Sequence, residues 1–158
     1  MAKLVLPPQY SKRILRVSAL TLVSISSAIY NELPFNCGLA ATVMFTSVNY
    51  WRHPTFGLRR NVDIVCACGA LGYQALFTAY DTTPAGRCAY WLAVATGGCC
   101  YLLAFYNGRF LGNLNRASKL HVGVHLFGNL GNVMLYDSLG ANLLGLGAGL
   151  QRAQASSG

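Results

Sequence analysis

The residues best suited to chemistry are three histidines, the only ones in the 158-residue chain. Two form His121-Val-Gly-Val-His125, a spacing of four that puts both rings on one face of a helix. The third lies in Trp51-Arg52-His53-Pro54, and Asp63 follows it as one of only four acids. Three imidazoles and a water make an ordinary catalytic zinc set, with the water position open for chemistry. A nearby carboxylate orients a ligand histidine or takes a proton from metal-bound water, whose pKa falls to about 7. His53, His121 and His125 are therefore candidate zinc ligands, with Asp63 as the group that positions water. The competing role is structural. The same side chains can hydrogen-bond between helices, and Asp63 can pair with Arg59 or Arg60, three or four residues before it.

The elements that must position these residues are apolar. The chain is 54% hydrophobic and 10% charged, with mean hydropathy +0.40. A soluble domain carries about 25% charged residues, so a soluble cytosolic enzyme is excluded. Five apolar segments approach or reach the ~20 residues needed to cross a hydrocarbon core. They are Ile14–Tyr30, Phe35–Trp51, Val62–Tyr80, Cys88–Tyr106 and Leu120–Tyr136. The fold class predicted is an all-α polytopic bundle of about five transmembrane helices, occupying residues 1–137. Residues 138–158 follow as a short interfacial Gly/Leu segment, Ser138–Leu150, and a flexible tail. Tyr30, Tyr50, Trp51, Tyr80, Tyr90, Trp91, Tyr106 and Tyr136 lie near the ends of the runs, as interfacial aromatics do. The six cysteines lack the C-x-x-C spacing of zinc or redox sites and read as small packing residues.

The net charge of +8 comes from twelve bases against four acids. In a soluble chain that balance suggests nucleic acid. Here the bases punctuate apolar runs with no basic helix or aromatic RNA motif, so no nucleic-acid partner is expected. Sorted by loop, ten bases fall on the N-terminal side, and only Arg87 and Arg152 on the other. The positive-inside rule then puts the N-terminus in cytosol, matrix or stroma and the C-terminus opposite. It also places Asp63 and all three histidines at the positive face. Arg59, Arg60, Arg109, Arg116 and Lys119 form a basic collar there, suited to anionic lipid headgroups such as cardiolipin. The first 31 residues hold several bases and serines but no acid, which fits an uncleaved mitochondrial-type targeting segment. The mitochondrial inner membrane is favoured, with endoplasmic reticulum or plastid membranes as alternatives.

At about 100° per residue, the His121/His125 face continues through Asn129 and Asn132. Asp63, Gln74 and Thr78 share one side of the third segment, and Thr42, Thr46 and Asn49 mark the second. Ser47, His53, Asp63 and the His121/His125 pair resemble the motifs of the CREST superfamily of membrane hydrolases, which includes alkaline ceramidases and adiponectin-receptor-like proteins. The resemblance covers residues 46–63 and 118–132. It rests on Ser47 and His53 near the end of an early span, Asp63 at the next, and His121-x-x-x-His125 in a late one. It implies zinc held by the three histidines, with Ser47 and Asp63 assisting the water that attacks a lipid amide. Ser47 and His53 lie about 120° apart on a helix, which makes Asn49 a further candidate for stabilising an oxyanion.

Two functions follow. One is an accessory subunit of a respiratory, ATP synthase or similar organellar membrane complex, packing against other membrane subunits and lipids. The other is a zinc-dependent hydrolase of lipid amides or esters.

Overall fold

The computed structural model describes the backbone of residues 5–156 and the side chains of residues 5–145. Lys3 and the side chain of Arg152 lie outside the described residues. Six α-helices follow one another: α1 (Pro8–Ser18), α2 (Thr21–Tyr30), α3 (Pro34–Arg52), α4 (Leu58–Tyr73), α5 (Pro84–Arg109) and α6 (Leu114–Ser156). They form five rods. α1 and α2 run on through a tight turn at Ala19-Leu20, where Ala19 and Leu20 each donate to a carbonyl three residues back. Ser18 Oγ donates to the carbonyl of Ile14 at 3.1 Å, the kind of back-bonding that bends a helix. α4 continues through a π-helical turn, Gln74–Thr78, and a 3-10 turn, Ala79–Asp81.

Local chemistry sets the starts. Proline occupies the first positions of α1, α3 and α5, where its missing N–H has no partner to lose. Thr83 caps α5 by accepting from Gly86 N.

Three rods are long and apolar enough to cross a membrane: Pro8–Tyr30, Leu58–Asp81 and Pro84–Arg109. The fold is thus a helical membrane bundle. The other two rods, α3 and α6, carry polar residues along their length as well. In α3 these residues turn inward: Asn36, Thr46 and Ser47 are all buried. α5 and α6 form the most extensively packed pair. Small residues let them close. A Cβ on Gly123 would come within 2.9 Å of Cys100 Sγ, and one on Gly131 within 3.3 Å of Ala93 Cβ. Gly69, Gly72, Gly98 and Gly128 instead face open space.

α6 continues from Tyr136 to Ser156 without interruption, so residues 138–150 are not a separate element and the tail is helical through Ser156. No proline breaks this stretch, and Gln-Arg-Ala-Gln-Ala favours helix. Its surface beside the junction of the α4 rod with α5 is tied down. Asn142 Nδ2 donates to the carbonyl of Asp81 at 2.6 Å, and Ser138 Oγ lies 2.8 Å from Thr83 Oγ1.

Several aromatics expected at the interface are core residues instead. Tyr90, Leu135, Tyr136, Ala28 and Ala79 form one buried cluster, and Ile14, Tyr50 and Trp51 another. Tyr136 turns inward because its hydroxyl accepts from Gln74 Nε2 at 2.8 Å. Tyr30, Tyr80, Trp91 and Tyr106 remain exposed.

Candidate functional site

α3 and α4 are joined by a short turn, so the last turns of one lie beside the first turns of the other. This brings Ser47 to Asp63. Ser47 Oγ donates to Asp63 Oδ1 at 2.6 Å, and Thr46 Oγ1 lies 3.3 Å from the same oxygen. All three residues are buried. Two neutral hydroxyls, rather than a guanidinium, are the hydrogen-bond partners of this carboxylate. Asn49 points elsewhere. Two residues beyond Ser47 it has turned by about 200°, and its Oδ1 accepts from Arg52 Nη2 at 3.4 Å on the exposed side.

The histidine pair forms as its spacing predicts. The His121 and His125 rings lie 5.5 Å apart, and Trp51 meets His121 edge-on at 4.9 Å. Tyr101 approaches His121 from α5 at 6.4 Å. His53 does not join them. It ends α3 with extended backbone, as a residue before proline must, and its side chain is exposed. Among the described residues, no group of three or more His, Cys, Asp or Glu side chains is placed to hold a metal ion.

The stripe below the histidines binds the first rod. Ser24 Oγ lies 2.7 Å from Asn129 Oδ1 and 3.5 Å from Asn132 Nδ2. Asp137 Oδ1 accepts from Ser27 Oγ and Asn31 Nδ2, each at 2.8 Å. At the other end Arg13 Nη1 donates to Asn115 Oδ1 and Ser118 Oγ, at 3.2 and 2.9 Å. Residue numbers rise together along both helices, so the first and last rods run parallel. The serines that suggested a targeting segment therefore have a packing role. Ser11, Ile14, Ser18, Thr21, Ser24 and Ala28 repeat every three or four residues, and all are buried. That spacing of small side chains is a helix seam, and it is visible in the sequence.

The basic collar gathers at the same end as the histidines. Arg59, Arg109, Arg116 and Lys119 are exposed, and the Arg60 guanidinium lies 5.7 Å from the Phe56 ring centroid. The N-terminal segment closes onto this end, with Val5 N donating to the carbonyl of Pro54 at 2.7 Å. The six cysteines are free, with Cys68, Cys88 and Cys99 exposed on the rods.

No family model, curated protein or solved structure matches the chain.

Proposed function

We propose that the chain is an accessory integral subunit of an organellar membrane complex, serving packing, assembly and lipid binding. The observation that carries this reading is the use of its intramembrane polar groups. Asp63, Gln74, Asn129 and Asp137 each bond a side chain on another helix, as side chains that hold a bundle together do. The outer faces of the α4 rod and of α5 are apolar, with Val65, Leu76, Leu92, Leu102 and Phe105 among their exposed residues. The collar of Arg59, Arg60, Arg109, Arg116 and Lys119 supplies charge for anionic headgroups such as cardiolipin. The acid-free, basic N-terminal stretch favours the mitochondrial inner membrane, with the respiratory and ATP synthase complexes as the first candidates. The test is extraction of the tagged full chain in mild detergent, followed by native electrophoresis and mass spectrometry of what co-migrates. Stoichiometric membrane subunits of a single complex are expected. A stable monomer free of partners overturns the proposal.

A second reading, zinc-dependent lipid hydrolysis of the CREST kind, is favoured by the 2.6 Å contact of Ser47 with Asp63 and by the His121–His125 pair. It requires His53, or another ligand, to complete the set. Elemental analysis of the purified chain beside a His121→Ala, His125→Ala variant decides it. About one zinc per chain, lost in the variant, is the outcome this reading needs.

A further inference from the structure

A cavity of about 230 Å³ opens at the bundle end opposite the histidines, between the α2–α3 turn and the end of the α4 rod. It is smaller than the roughly 300–1,000 Å³ of drug-sized sites, and suits a headgroup rather than a whole lipid. Its lining includes Glu32, Phe35, Asn36, Tyr73, Phe77 and Asp81. Three irregular features meet there. Asn36 is 95% buried, yet among the described residues its Nδ2 has no hydrogen-bond partner, a cost the fold normally avoids. The wall that carries Phe77 and Thr78 is the π-helical turn, a distortion that recurs at functional sites. Glu32 adopts a left-handed backbone, φ 54°, where α2 ends in a Schellman cap. Leu33 N donates to the carbonyl of Ala28, and Glu32 N to that of Ile29. Glycine is the usual residue at that position, so glutamate sits there against its local preference.

The lining also has a definite chemistry. Two carboxylates, Glu32 and Asp81, border the cavity, and among the described residues neither Lys nor Arg lines it. The nearby Arg87 is engaged by the carbonyls of Ala79 and Tyr80, at 3.0 and 2.7 Å, and lies over the Tyr80 ring. Phe35, Tyr73 and Phe77 form a continuous aromatic run, with centroid separations of 4.6 and 5.4 Å. Carboxylates beside aromatic faces select an organic ammonium group. The Asn36 amide nitrogen is shielded and unpaired, and a turn of its side chain toward the cavity would give it an oxygen acceptor on the same ligand. It sits in the first turn of α3, where unpaired backbone N–H groups favour the same oxygen.

We propose that this cavity binds an amino-alcohol group of the choline or ethanolamine type, its ammonium against Phe35, Tyr73 and Phe77 and its oxygen on Asn36. The group can arrive on a zwitterionic lipid or as a free amino alcohol.

The experiment uses the full chain in nanodiscs of phosphatidylglycerol, titrated calorimetrically with choline chloride. In parallel, the protein is extracted from membranes containing both phosphatidylcholine and phosphatidylglycerol, and retained lipid is identified by mass spectrometry. Binding by the wild type, weakened about tenfold or more by Glu32→Gln with Asp81→Asn, is the expected result. Retention of phosphatidylcholine at a fixed stoichiometry, lost in the double variant, marks a lipid source. Choline binding without lipid retention marks a free ligand. Glu32→Gly separates binding from folding, because it removes the carboxylate while relieving the left-handed backbone. It should raise the melting temperature and weaken choline binding. No choline binding together with no selective lipid retention, or equal behaviour of wild type and double variant, overturns the proposal.

Discussion

At the scale of single residues, Asp63 shows how a carboxylate is kept within an apolar bundle. Its environment is built from the hydroxyls of Ser47 and Thr46, both one short turn away along the chain. Ser47→Ala removes the shorter bond and leaves Thr46 in place. Interhelical bonds of this kind are worth about 0.6–2 kcal/mol, so a stability loss in that range is expected, measured by denaturant titration in mixed micelles. If the structural role is the whole role, Ser47→Ala changes stability and leaves any bound metal unchanged. The place of Ser47 and Asp63 on adjacent helix ends was legible in the sequence, but their hydrogen bond was not, because Arg59 and Arg60 stand closer along the chain as partners for Asp63. That His53 leaves the helix was readable, since Pro54 disfavours a helical backbone there. The inward turn of Tyr136 was not. A tyrosine at the end of an apolar run looks interfacial until Gln74, 62 residues earlier, is known to face it.

At the scale of elements, glycine position separates faces that composition leaves mixed. Gly123 and Gly131 lie against α5, whereas Gly98 and Gly128 face outward. Gly123→Val is expected to destabilise the α5–α6 pair by about 1–3 kcal/mol, with partial recovery when combined with Cys100→Ala. Gly98→Ala should be neutral or stabilise by about 0.4–1 kcal/mol. Thermal unfolding of the three variants in one detergent checks both statements, and similar losses for Gly123→Val and Gly98→Ala would contradict the assigned faces. The number of rods was readable from apolar runs and loop punctuation. The length of α6 was not, because Gly145 and its neighbours resemble a break, whereas isolated glycines cost a helix only about 1 kcal/mol each.

At the scale of the whole molecule, five alternating rods gather most of the bases at one end and leave Glu32, Asp81, Asp137 and Arg87 near the other. Leu111 and Glu32 are both exposed and lie in turns at opposite ends. Single cysteines at Leu111→Cys and Glu32→Cys should therefore react with a membrane-impermeant maleimide from opposite faces of sealed vesicles. Labelling from the same face would break the alternation. The seam between the first and last rods adds a constraint in time. Its bonds join residues 102 to 110 positions apart, and synthesis proceeds at roughly 5–20 residues per second. The first rod therefore waits about 5–20 seconds for its partner to emerge. Meanwhile Ser11 and Ser18 can satisfy themselves on their own backbone, through the carbonyls of Pro8 and Ile14, but Ser24 and Ser27 lack the partners supplied by α6. A chain terminated after Asn113 should be cleared faster than the full chain in a pulse-chase measurement. The helix made first is among the last to be completed, and until then its serine edge is where quality control would take hold.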